Sequence, residues 1–247
     1  MSNEIILYDL PSKGRSACWS LNPWKARLAL NYKGVPYKTE WVEYPDLAPK
    51  FKALGIPPNS PETNPNAEYS SPAIKLPDGR YIMDSLAAAR ELEQLQPSPS
   101  LHIHGNDYAN RTQEAVGQIM KGLAPIAMPR IPERLLNPSS AEYFHTTREK
   151  RFGMPLSELA QSDKAGERAW STAEPGFGAV KALLVENGNG PYIQGGEPSF
   201  ADFVLAGFWR FMERLDTGGD LYGRIMEIDP VFARHREACQ PWLDRDD

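Results

Sequence analysis

"CWSLNPWKARLAL", residues 18–30, is the stretch on which the fold turns. Asn22 is a favoured capping residue and Pro23 a favoured first helical residue, because the N–H that proline lacks would have no partner there. Trp24, Leu28, Ala29 and Tyr32 follow as one apolar stripe with Lys25 and Lys33 outside it, and Gly34 then Pro36 end the run. The spacing predicts a helix capped by Asn22, with Ser20 just outside it near the positive end of the helix dipole. Upstream, EIILYDL (4–10) is a short apolar run suited to a buried strand; downstream, YKTEWVEY (37–44) alternates as a strand does. Strand, helix, strand favours a parallel pair joined by a crossover helix.

Further along, residues 45–72 are rich in proline and asparagine and read as a long irregular connection with a helical turn or two around Phe51 and Leu54. AIKLPDGRYIMD (73–84) reads as two strands joined at Asp78-Gly79, a dipeptide that tolerates the positive φ of tight hairpins. Asp84 and Ser85 can cap the next helix, SLAAARELEQL (85–95). From about residue 105 the pattern is helical, with segments expected over 107–128, 141–162, 164–187, 199–215 and 219–237. The alternation of strand and helix stops at the proline-rich linker 97–105, so two domains are expected, 1–96 and 105–247.

The 247 residues are 41% hydrophobic, enough for a proper core. With 27 Lys+Arg against 32 Asp+Glu, a net charge of −5 and no long basic run, no nucleic-acid or membrane partner is expected. FVLAGFW (203–209) is far too short to cross a membrane, and Glu4 and Asp9 stand where a signal peptide needs a basic then apolar run. Cys18 and Cys239 are far apart and carry neither disulfide nor metal-ligand spacing, which suits a reducing, cytoplasmic setting without a metal. The triplet Asn110-Arg111-Thr112 reads as surface polarity.

Ser20 poses the chemical question. A serine hydroxyl is a poor nucleophile without an oriented base, and His102, His104, His145 and His235 have no recognisable triad context. Donating a hydrogen bond to a thiolate asks less of it: the bond stabilises the charged form, and each pKa unit is worth about 1.4 kcal/mol.

Four segments carry a resemblance to the soluble glutathione transferases. SLNPWKARLAL (20–30) resembles their active-site loop and first helix, in which the catalytic serine or cysteine stands seven residues before this arginine; seven before Arg27 is Ser20. SSPAI (70–74) resembles the segment before the third strand, where the resemblance implies that Pro72 is cis and that the main chain of Ser71 pairs with the cysteinyl part of glutathione. MDSLAAAREL (83–92) resembles the acidic-Ser pair that holds the γ-glutamyl end, Ser85 suiting its carboxylate and Asp84 its ammonium. GGEPSFADFVLAGF (195–208) resembles the buried Ser-x-x-Asp motif of the helical half, in which Ser199 and Asp202 form a capping-box variant with a folding role.

The resemblance implies a thioredoxin-like α/β amino-terminal domain followed by an all-α carboxy-terminal domain, with glutathione as co-substrate and an apolar or aromatic small molecule as its partner. Ser20 would hold the thiolate, with Asn22, Ser71, Pro72, Asp84 and Ser85 around glutathione, and a homodimer is expected. WSLNPWKARLALNYKGVPYKTEWVEYPD (19–46) and TREKRFG (147–153) are most similar to the fungal-specific class A transferases and the bacterial lignin β-etherases related to them, which adds etherase-like or peroxidase side activity.

Other readings stay beside these. Ser20 can simply help the loop turn, and Asn22 can be only a cap. Cys18 would support a thiol transferase if it lay at the catalytic position, or it fills space in the loop. The alternative function is a ligandin-type carrier whose cleft binds aromatic or phenolic compounds without turnover. Tyr8, Trp19, Trp24, Tyr44, Met120, Met128, Tyr143, Phe144, Trp170 and Phe177 are candidates to line an apolar cleft, although aromatic stripes usually belong to the core. Lys50 or Lys52 could meet the glycyl carboxylate, and Arg148, Lys150 and Arg151 could form a basic rim; a solvated face is the plainer reading of both groups.

Overall fold

Residues of EIILYDL form β1 (Ile5–Asp9), buried at every position but Ile6 because it has a strand on each side. The structure, a computed structural model, describes residues 4–62, 64–188 and 190–247; residues 1–3 at the start of the expected first domain, Thr63 in the 45–72 connection, and Asn189 lie outside the described residues. β1 runs parallel to β2 (Tyr37–Trp41), with Leu7 opposite Thr39, and α1 (Leu21–Lys33) makes the crossover between them. β3 (Ala73–Lys75) pairs antiparallel with the other edge of β1 and with β4 (Tyr81–Met83), giving the order β2-β1-β3-β4. The hairpin between β3 and β4 closes at Gly79, whose φ of 91° is the conformation glycine adopts without a Cβ penalty. α3 (Ser85–Leu95) completes this half and packs beside α1.

One arginine fixes α1 to the sheet. Arg27 is fully buried and its Nη2 lies 2.8 Å from Asp9 Oδ2 at the end of β1, 3.0 Å from Thr39 Oγ1 on β2, with Nη1 3.2 Å from Tyr37 Oη. A buried ion pair is tolerable only when its remaining valences are met, and here both strands of the parallel pair contribute.

The 45–72 connection holds more helix than the turn or two expected around Phe51 to Leu54. α2 (Tyr44–Ala53) occupies its start: Pro45 sits in the first turn, where no N–H is needed, and Pro49 inside the helix is offset by burial of Leu47 and of Phe51, whose ring meets Tyr8 edge-on at 5.7 Å. Composition signalled loop because it counts prolines without knowing what the intervening residues bury.

The second half is helical, as expected: α4 (Tyr108–Leu135), α5 (Pro138–Phe152), α6 (Leu156–Gln161), α7 (Glu167–Glu186), α8 (Phe200–Leu215), α9 (Tyr222–Ile228), α10 (Pro230–Ala238) and α11 (Gln240–Leu243). α4 continues past the expected 128 through Pro125, Pro129 and Pro132, sustained by close packing on α7, where Gly122 meets Ala173 and Gly176 meets Ala115 and Ile119. The expected 141–162 helix is two helices, broken at Gly153 with φ 72°, and 219–237 is broken at Asp229, which caps α10. At the start of α8 the Asp202 carboxylate accepts from Ser199 N and Oγ at 2.8 and 2.7 Å and from Ile193 N at 2.8 Å. His235 Nε2 donates to the same group at 3.1 Å, since Trp209 Nε1 donates to Nδ1. Among the described residues no helix is long and apolar enough to cross a membrane.

Candidate functional site

α1 starts two residues earlier than expected. Ser20, not Asn22, occupies the capping position, with extended backbone (φ −83°, ψ 137°), and its carbonyl accepts the first intrahelical bond from Trp24 N at 3.2 Å. Asn22 is the second helical residue and Pro23 the third. The first turn has no intrahelical partner for its N–H groups, so proline is as harmless third as first, and sequence could not separate the two registers. The Ser20 side chain makes no capping hydrogen bond, so its hydroxyl is left for a ligand.

Ser20 and Asn22 line a cleft of about 870 Å³ between the sheet domain and the helical half. The other four expected residues line it too. The Ser71–Pro72 bond is cis, and Ser71 Oγ donates to the Tyr8 carbonyl at 3.0 Å, tying this corner to β1. Asp84, at φ 90°, caps α3: its Oδ1 accepts from Leu86 N at 2.9 Å and Ala87 N at 3.0 Å. Such a backbone conformation costs a non-glycine residue of order 1–3 kcal/mol, and it lies where the cleft needs a fixed carboxylate. Part of that carboxylate is therefore spent on the helix, the capping role expected of Asp84. Ser85 follows as the first helical residue, 4% exposed.

Lys25, expected outside the apolar stripe of α1, is 6% exposed and lines the cleft beside Asp84 and Ser85. Burial pulls its pKa down to about 8, while the Asp84 charge acts the other way. Its burial comes from the tertiary packing around α1, and nothing in α1 alone signals that. The basic residue two before Arg27 was the one available cue.

Cys18 is fully buried and outside the cleft, and burial together with the Asp9 charge pushes its thiol well above the ordinary cysteine range. A thiolate is the reactive form, so the geometry gives Cys18 no part in thiol exchange. Of the aromatic candidates only Tyr44 and Tyr143 line the cleft, their rings stacked at 5.8 Å and 11°. Trp19, Trp24 and Phe144 are core, while Trp170 and Phe177 border a separate groove on α7. Lys50 pairs with Glu40, and Lys52 lies over the Tyr69 ring; neither lines the cleft. Arg148, Lys150 and Arg151 do.

The far wall is held by a link between α2 and α5. Glu43 accepts from Asn137 Nδ2 at 2.7 Å and from Ser140 Oγ, and Ser140 Oγ accepts from Tyr44 N at 2.9 Å, satisfying the first free N–H of α2.

Two family models match the chain: "Glutathione S-transferase, N-terminal domain" over residues 19–95 and "Glutathione S-transferase, C-terminal domain" over 111–242. A glutathione S-transferase-like protein of Aspergillus flavus, ustS, is 33% identical, the match covering 97% of this chain and 89% of that protein. The crystal structure of a glutathione transferase from Phanerochaete chrysosporium superposes with a TM-score of 0.87 at 30% identity over 100% of both chains. That of a Ceriporiopsis subvermispora glutathione S-transferase in complex with glutathione does so with 0.86 at 31%, over 99% of this chain and 100% of that one.

Proposed function

The chain belongs to the glutathione S-transferase family, and from that premise we propose that it is a serine-type transferase in which Ser20 holds glutathione as its thiolate for attack on an aromatic electrophile. The observation that carries this is the Ser20 hydroxyl: it occupies the helix-capping position without serving the helix and faces a cleft that also holds Ser71, cis-Pro72, Asp84 and Ser85. A sulfur placed there would meet the hydroxyl and the unpaired N–H groups of the first turn of α1, both of which favour negative charge. Ser71 would pair with the cysteinyl main chain, Ser85 and Lys25 would face the γ-glutamyl carboxylate, and Asp84 its ammonium. Residues 1–96 would thus bind glutathione and 105–247 carry the acceptor side. The glutathione complex of the Ceriporiopsis relative and the fungal source of the similar chains support this assignment and the fungal class.

The test is the thiolate absorbance of bound glutathione titrated with pH in wild type and Ser20→Ala, beside conjugation of a generic aromatic electrophile. Losing a hydrogen bond to a charged group costs about 1.5–3 kcal/mol, so Ser20→Ala should raise the bound thiol pKa by about one to two units and lower kcat/KM about tenfold to a hundredfold while glutathione still binds. Asn22→Ala should leave the thiol pKa in place. A thiol unshifted in the wild type would instead make this cleft a carrier of aromatic compounds.

A further inference from the structure

The cleft has more positive charge than glutathione's own site needs. Its lining includes Lys25, Arg148, Lys150 and Arg151 against a single carboxylate, Asp84, in a protein whose net charge is −5. Lys25 and Asp84 sit at the α1–α3 end with the proposed glutathione site. The other three lie within four residues of α5, on the helical side, and among the described residues none has an ion-pair partner.

Arg148 is held by several neighbours. Its guanidinium carbon stands 4.2 Å from the Phe144 ring centroid and 5.7 Å from that of Tyr44, one Nη1 donates to Thr147 Oγ1 at 3.0 Å, and its buried Nε has no partner. Partial burial and the neighbouring Arg148 charge both depress the Arg151 pKa, so a half-buried and an exposed guanidinium stand together at the cleft wall, among the described residues without an acid paired to either. That arrangement is unfavourable until an anion fills it, and guanidinium is the side chain that takes a carboxylate with two parallel hydrogen bonds. Beside it, the stacked Tyr44 and Tyr143 offer flat apolar surface of the size of a ring.

We propose that the second substrate is an aromatic electrophile bearing a carboxylate, its ring against Tyr44 and Tyr143 and its carboxylate received by Arg148 and Arg151. This rests on the transferase reading above. With an activated aryl halide the thiolate sulfur bonds to the ring carbon, the carbon–halogen bond breaks, and halide leaves with the bonding pair; no oxidant or reductant is needed.

The experiment compares 4-chloro-3-nitrobenzoate with 4-chloro-3-nitrobenzamide, which share a reacting centre and differ in charge, each kcat/KM divided by the uncatalysed rate with free glutathione. The wild type should prefer the benzoate about tenfold or more, and Arg148→Gln and Arg151→Gln should each lower that preference at least about fivefold, with the KM for glutathione changed less than about twofold. No preference in the wild type, or the same preference in both variants, overturns the proposal. So does a rise in the KM for glutathione with the acceptor preference intact, since the cations would then hold glutathione itself. Arg148 also packs on Phe144, so Arg151→Gln, at an exposed position, is the variant that separates binding from folding. If neither halide turns over, the transferase reading fails alone: binding of 4-nitrobenzoate against 4-nitrobenzamide to the glutathione-loaded protein, by calorimetry, still reads the anion site through the same variants.

Discussion

Lys25 is charged and buried, and among the described residues it has no carboxylate in ion-pairing range, so its folding carries a desolvation cost. Its pKa of about 8, against 10.5 for the free side chain, corresponds to about 3 kcal/mol at neutral pH. The unfolded chain keeps this proton up to 10.5 and the folded one only up to about 8, so the penalty is complete below pH 8 and stability from this group rises with pH between 8 and 10.5. Lys25→Met should therefore be more stable than the wild type by about 2–3 kcal/mol at pH 7 in urea unfolding, the gap closing towards pH 10.5. The same variant should raise the KM for glutathione about tenfold, because the γ-glutamyl carboxylate loses its cation. A variant that gains stability and keeps its glutathione affinity would assign Lys25 to folding strain alone. At this scale the sequence named Ser20, Asn22, Ser71, Pro72, Asp84 and Ser85, and the structure gathers all six on one cleft. It missed Lys25, because the sequence of α1 does not show what buries that residue.

Between elements, α1 is positioned by its close contact with α8. A Cβ on Gly207 would lie 2.9 Å from Trp24 Cβ and 3.2 Å from the Leu21 carbonyl, so the two helices approach as closely as they do because position 207 has no side chain. Gly207→Ala should push α1 away, costing about 1–3 kcal/mol in thermal or urea unfolding and lowering kcat through the displaced Ser20. Gly117, exposed in α4 with nothing within 4 Å of a Cβ, is the control: Gly117→Ala should raise stability by up to about 1 kcal/mol with activity intact. An equal effect of the two substitutions would mean that helix propensity, not packing, governs both. Helices with strong periodicity or caps, such as α3 and α8, were legible in the sequence. α2 was not, because its prolines mask a helix that exists by burying Leu47 and Phe51 and by borrowing Ser140 from α5.

For the molecule as a whole, a net charge of −5 surrounds a cleft with more cations than anions, so anionic ligands are drawn to the site against the overall field. Salt shortens the range of that attraction from about 10 Å at 0.1 M to about 3 Å at 1 M. Raising the salt concentration across this range should raise the KM for glutathione by about two- to fivefold while leaving turnover of a saturated neutral electrophile nearly constant. A KM indifferent to salt would mean that the cations are neutralised within the protein. The sequence by itself determined the strand-helix-strand start, the hairpin, the helical second half and the six residues that gather on one cleft, because each is written in local periodicity, turn chemistry or short spacing. The tertiary structure alone decided the register of the α1 cap, the presence of α2, the burial of Lys25 and Cys18, and which aromatic and basic residues face the cleft. Those depend on contacts between segments remote in the chain, and the free energy of burying a side chain is set by what covers it rather than by its neighbours in sequence.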